Sequence, residues 1–197
     1  VSESMTEKEK MLAGLAYSGR DAELVNDRQE AKVMCHRFNL ADPRDTQARM
    51  AILAERVQFS GDAHMEPSFY CDYGYNIVVG ANFYSNHNLT ILDVCKVTIG
   101  ENAFIGPNVM ISAASHPIDP VERLHGEDGA PVWIGDNVWL GGNVAVLPGV
   151  RIGHNCVIGA GSVVTRDIPD NSVAVGNPCR VVREITPSEP SAVLAGG

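Results

Sequence analysis

From residue 79 onward the chain falls into sixes, and that step excludes most folds before composition is considered. Ile99-Gly100, Ile105-Gly106 and Ile111 stand six apart. After an interruption, Ile134-Gly135, Leu140-Gly141, Val146, Ile152-Gly153, Ile158-Gly159 and Val164 keep the same spacing without slippage. Two residues ahead of the aliphatic positions runs a second row of small or medium side chains: Ala103, Val109, Val138, Val144, Val150, Cys156 and Ser162. A period of six fits neither a helix nor an alternating hairpin strand. It fits a three-sided parallel coil, a β-solenoid, in which each short strand is followed by a tight corner and three steps of six, eighteen residues, complete one rung. The aliphatic residues then point inward and stack on their equivalents one rung away. Asn102, Asn108, Asn137, Asn143 and Asn155 occupy slots where the corner demands an unusual backbone, which Asn and Gly tolerate. Burying one Val, Leu or Ile contributes roughly 1.5–3 kcal/mol, so the ladder dominates the stability of the chain.

Residues 1–59 read differently. Thr6 and Glu9 form a T-x-x-E capping box, and Leu24, Ala31, Met34 and Phe38 recur at helical spacing, with Met50, Leu53 and Val57 following Pro43. Two or three short helices are expected there, ahead of a β-helix over 60–185 and a flexible tail over 186–197. The six-step fails between Ile111 and Ile134, where a polar, Pro-rich run beginning S-H-P carries two of the six histidines. So long an excursion from a regular solenoid, about 112–133, is usually functional. Its polar run begins at His116.

A chain of 197 residues, 45% hydrophobic, suffices for one domain. A formal charge of −9 speaks against duplex nucleic acid or an anionic membrane as partner. No apolar run approaches the roughly eighteen residues that span a bilayer, and the first thirty residues lack the apolar centre of a signal peptide. The cytosol is the expected location. Five cysteines, odd in number, scattered and without a C-x-x-C pair, indicate neither a disulfide framework nor a zinc site.

Several runs join the ladder: E-K-E-K-M-L-A-G (7–14), F-Y-C-D-Y-G-Y-N-I (69–77), N-F-Y-S-N-H-N-L-T-I-L-D-V-C (82–95), S-H-P-I-D-P (115–120) and V-G-N-P-C-R-V-V-R (175–183). Together they resemble the maltose, galactoside and nodulation O-acetyltransferases, the maltose type most closely. The resemblance implies a left-handed parallel β-helix, acetyl-coenzyme A as donor, no metal, and a homotrimer with active sites at subunit boundaries. Handedness rests on the resemblance alone, because crossovers between parallel strands are overwhelmingly right-handed. A trimer also suits a prism that gains by burying a flat face under closed symmetry.

A sugar hydroxyl is a poor nucleophile at neutral pH, so its attack on a thioester needs a base poised near pH 7, which histidine supplies. The resemblance gives that role to His116. Glu127 is a candidate to orient the imidazole, although a backbone carbonyl serves as well. Acceptor contacts are implied at Asp72, Tyr84, Asn86 and Asp93, with Asp21 reaching over the site. The plainer alternatives are that Asp72 and Asn86 cap corners of the coil and that Asp21 caps a helix. Galactoside-type members carry a second acidic residue where this chain has Val94, which favours a glucose or maltose acceptor.

For the donor, the resemblance places the pantetheine arm beside Gly142 and Ala160, with Trp139 walling the channel or filling the trimer contact. Thr165, Arg166, Arg180 and Arg183 are implied partners of the adenosine phosphates; a solvated charge cluster is the alternative. Direct transfer without an acyl-enzyme is expected. Two other classes compete: a γ-type carbonic anhydrase, which needs three histidines around zinc, and a non-catalytic β-helix used for assembly or binding.

Overall fold

Eight asparagines adopt a positive φ, between 54° and 64°: Asn82, Asn88, Asn102, Asn108, Asn137, Asn143, Asn155 and Asn171. Asn visits this left-handed region more readily than other side chains do, and here it sets the corners of the coil. Along one corner the amides also bond to each other. Asn82 Nδ2 donates to Asn102 Oδ1 (3.1 Å), Asn102 to Asn137 (3.1 Å), Asn137 to Asn155 (2.9 Å) and Asn155 to Asn171 (2.8 Å). A second corner repeats the device, with Asn88 donating to Asn108 at 2.9 Å.

Between corners the backbone runs in short strands that pair in parallel with the rung above and below, giving sheets of five, seven and five strands, of which only the last strand of the seven runs antiparallel. The computed structural model describes residues 5–186 and 188, so all but two residues of the expected tail lie outside the described residues. The predicted β-solenoid is the architecture observed, and every ladder residue named above, from Ile99 to Val164, is buried along with its companion row.

Rung length is where the structure departs from a uniform eighteen. Trp133 pairs with Arg151 and Trp139 with Val157, a spacing of eighteen. Phe69 pairs with Leu89 and Ile77 with Val97, a spacing of twenty. The lower rungs use strands of three or four residues, such as Phe69–Cys71 and Leu89–Leu92, whereas most upper strands have two. The longer rungs blur the six-step, and for that reason the coil begins at Gln58–Phe59, well before the period is visible.

Three helices close the lower end: α1 (Glu7–Leu12), α2 (Ala22–Leu40) and α3 (Thr46–Leu53). The Thr6–Glu9 capping box forms as expected. The second helix is longer than the short elements predicted, since nothing breaks it between the Asp21 cap and Ala41. These helices satisfy the open edge of the first rungs. Asn39 Nδ2 donates to the Phe69 carbonyl (3.1 Å) while its Oδ1 accepts from the Phe69 N–H (2.8 Å), and the buried Arg49 donates to the Met65 carbonyl (2.8 Å). At the upper end Ser172–Val175 folds back on Arg180–Glu184 as an antiparallel pair.

The corner ladder is open to a direct test. Asn137→Ala removes both the tolerance of positive φ and two amide bonds, and should cost about 2 kcal/mol. Asn137→Gly restores the backbone freedom and should cost about half as much; urea unfolding of the two variants beside the parent measures both losses.

Candidate active site

The excursion leaves the coil through a two-residue antiparallel clasp, Ala114–Ser115 against Asp128–Gly129. Asp119 shapes the interior by accepting from the N–H groups of Val121 (2.7 Å) and Glu122 (3.1 Å), which starts a single turn at Glu122–Leu124. His116 follows the first strand of the clasp directly. Its ring is exposed and makes no hydrogen bond among the described residues. It opens on a depression of about 310 Å³ bounded by Ser18, Gly19 and Arg20 of the helical segment and by Arg123, His125 and Glu127 of the loop.

Glu127 is held from the other side. Tyr17 and Glu127 exchange both backbone hydrogen bonds, at 3.0 and 2.9 Å, and the Tyr17 hydroxyl donates to Glu127 Oε2 at 3.0 Å. His116 and Glu127 thus share a pocket, but no hydrogen bond joins them. Burial and the Glu127 charge hold the Tyr17 phenol far above its ordinary range.

Next to this pair sits a second carboxylate. Burial pushes the Asp72 carboxyl up against the opposing pull of the Arg28 guanidinium, and the charge of Glu127 adds to the upward push. Arg28 donates to the Tyr73 hydroxyl (2.6 Å) and to the carbonyl of Gly19, tying α2 to both walls.

The remaining expected acceptor residues are distributed as follows. Asp93 is fully buried, and its carboxylate accepts from the N–H groups of Asp72 (3.1 Å), Tyr73 (2.9 Å) and Asn76 (3.3 Å). It fixes the turn that carries Asp72, and in this conformation has no surface to offer a ligand. Asp21 caps α2, accepting from Glu23 and Leu24 N–H groups, and Asn86 Oδ1 accepts from the His87 N–H at 2.7 Å.

A second groove, about 640 Å³, lies elsewhere on the coil and is mostly apolar. Tyr84, Asn86, Trp139, Gly142 and Ala160 line it together. Phe104 and Trp139 stand in register on its floor, 54% and 55% exposed. Glycine has different causes along this face. A Cβ on Gly106 or Gly141 would come within 2.6 Å of backbone on the next rung, so packing alone demands those two. At Gly142 the conflict is milder, since a Cβ would press on Pro107 at 3.3 Å, and this glycine also lines the groove. Thr165, Arg166, Arg180 and Arg183 are exposed at the upper end of the coil.

Tyr17, Gly19, Arg28 and Asn76 are the residues of this region that sequence reasoning missed. A lone aromatic or arginine between helices carries no period. All five cysteines are free and buried. No group of three or more His, Cys, Asp or Glu among the described residues is placed to hold a metal ion, and no helix among them is long and apolar enough to cross a membrane.

Comparison with known proteins gives the class. Residues 10–58 match the maltose acetyltransferase hexapeptide capping motif, 131–166 the bacterial transferase hexapeptide (six repeats), and 96–114 the hexapeptide repeat of succinyl-transferase. The protein is a hexapeptide-repeat acyltransferase. The galactoside O-acetyltransferase of Escherichia coli K12 is 45% identical over 92% of this chain and 91% of its own length. A crystal structure of a maltose O-acetyltransferase from Clostridium difficile 630 superposes with a TM-score of 0.92 at 50% identity, covering 94% of this chain and 100% of that one. A galactoside acetyltransferase in complex with coenzyme A superposes with a TM-score of 0.89 at 44% identity, over 93% and 92% of the two chains. The chain belongs to the family of maltose and galactoside O-acetyltransferases.

The buried carboxylate gives a pH-dependent prediction. Burial pushes Asp93 up to about 7 from its ordinary 3.8. The folded chain therefore holds this proton more tightly than the unfolded chain does. The contribution favours folding at pH below 3.8 and is lost as pH rises through about 7. Asp93→Asn, which cannot ionise, should show a flatter profile of melting temperature across that window than the parent.

Proposed function

We propose that the protein transfers an acetyl group from acetyl-coenzyme A directly to a hydroxyl of a small maltose- or glucose-like sugar, with His116 as general base. The observation that carries this reading is an imidazole at the root of the loop, without a hydrogen-bond partner among the described residues, in one pocket with a carboxylate fixed by Tyr17. The acceptor hydroxyl gives its proton to His116 as its oxygen attacks the thioester carbonyl. The carbon–sulfur bond then breaks, and the imidazolium returns the proton to the departing thiolate. Glu127 supports the imidazolium, and Asp72, with Asp21, Tyr84 and Asn86, receives the sugar hydroxyls. Asp93 serves by fixing the Asp72 turn.

The donor lies along the groove at Trp139, Gly142 and Ala160. The Gly142 N–H makes no hydrogen bond among the described residues, which leaves it able to meet the developing oxyanion. Thr165, Arg166, Arg180 and Arg183 receive the phosphates. Complexes of related structures with coenzyme A or acetyl-coenzyme A support this donor. On one chain the His116 pocket and the Trp139 groove are separate depressions. A homotrimer, in which a neighbouring copy brings its groove to the pocket, unites base and thioester. The exposed Ile118, Val121 and Leu124 of the loop and the exposed Phe104 and Trp139 support such a contact. The five buried thiols favour direct transfer over an acyl-enzyme, the net charge of −9 disfavours duplex nucleic acid and anionic membrane as partners, and we place the enzyme in the cytoplasm. A γ-type anhydrase needs a second histidine at short spacing after His116, where this sequence has none, and an assembly role leaves the His116 pocket without a purpose.

Labelled acetyl-coenzyme A, offered with maltose, glucose, galactosides and chitooligosaccharides, tests the acceptor class. His116→Ala should lower kcat by about 10²–10⁴-fold on the best acceptor, and near-native turnover would overturn the mechanism. Trp139→Ala should raise KM for the donor and leave KM for the sugar nearly unchanged, as initial rates with either substrate varied would show.

A further inference from the structure

We propose that Tyr17 is a positioning residue for acetyl transfer: its hydroxyl, together with the space left at Gly19, fixes the Glu127 carboxylate toward the His116 pocket. The inference rests on the reading of His116 and Glu127 given above and adds what makes that carboxylate usable.

Three restraints of different kinds meet on one side chain. The backbone of residue 127 is clamped to that of residue 17 by two hydrogen bonds. The carboxylate is gripped at Oε2 by the phenol, whose own ring is buried and cannot swing. The other oxygen, Oε1, lies over Gly19. A Cβ on Gly19 would stand 2.5 Å from Oε1 and 2.8 Å from Cδ, so any larger residue would push the carboxylate away. Arg28 anchors this strap in turn by donating to the Gly19 carbonyl.

The choice of donor has a chemical reason. Asp72 carries the same sign of charge and stands near enough to Glu127 to feel it, so a neutral donor is needed to hold the glutamate in place. An arginine would hold it but cancel its charge. A phenol kept protonated by its surroundings holds Glu127 and leaves the negative charge intact to support an imidazolium.

Tyr17→Phe keeps the ring and both backbone bonds and removes only the grip. We expect kcat to fall roughly ten-fold, KM for both substrates and the melting temperature to stay near native, and the acid limb of the kcat/KM profile to move to lower pH. Gly19→Ala should reproduce this pattern with the hydroxyl present. In a Glu127→Gln background Tyr17→Phe should have no further effect, because Tyr17 acts only through Glu127. The proposal is overturned by a Tyr17→Phe enzyme with native kcat and pH profile, by an undiminished effect in the Glu127→Gln background, or by a loss of kcat that merely tracks a loss of melting temperature. A readout free of turnover separates this inference from the site assignment. The carbon-13 order parameter of the Glu127 side chain should drop in Tyr17→Phe, and an unchanged value sinks the grip even if His116→Ala is inactive. An active His116→Ala enzyme would instead overturn the catalytic reading, with the order parameter still deciding on the grip.

Discussion

In a parallel coil no strand pairs within its own rung, so each rung is held only by the rungs above and below it, and both ends are left with open edges. Everything else in this chain answers to that constraint. Inside, aliphatic side chains stack; at the corners, asparagine amides bond from rung to rung in step with the backbone. The lower edge is covered by helices whose Asn39 and Arg49 imitate the missing strand. The upper edge turns back on itself. The helical segment is thus first a stopper for the coil, and its contribution to the pocket follows from where a stopper must sit.

The chemistry gathers where three unlike pieces meet. The coil supplies a turn whose N–H groups are collected by the buried Asp93, the helices supply Tyr17, Gly19 and Arg28, and the loop supplies His116 and Glu127. Three carboxylates, Asp72, Asp93 and Glu127, are costly to gather in a partly buried site. Arg28 offsets part of that cost for Asp72, and hydrogen bonds from neutral donors offset part of it for Asp93 and Glu127.

How much of this was readable follows from the same physics. Burial imposes a period, so Ile99 to Val164 announced the coil and the lapse after Ile111 announced the loop. Positive φ restricts residue type, so Asn102, Asn108, Asn137, Asn143 and Asn155 marked corners, and the structure adds Asn82, Asn88 and Asn171. The lower rungs repeat at twenty, a length that three equal steps of six do not fill, so the six-residue period did not reveal them. His116 could be singled out by its place at the break. Tyr17 could not, since its partner lies 110 residues away and nothing local records the pairing. Asp93 shows a different limit: sequence gives the residue type, but whether a carboxylate faces ligand or backbone is decided by packing.

Rungs on either side of the loop pair as direct neighbours: Val97 lies against Val132, and Phe104 against Trp139. The coil therefore treats the intervening segment as a parenthesis, entered and left at adjacent points without shifting register. A scaffold of this kind can lengthen, shorten or replace what stands inside the parenthesis while its own stacking energy is unchanged. Reactivity and stability can then vary almost independently, with the clasp at Ala114–Ser115 as the seam between them.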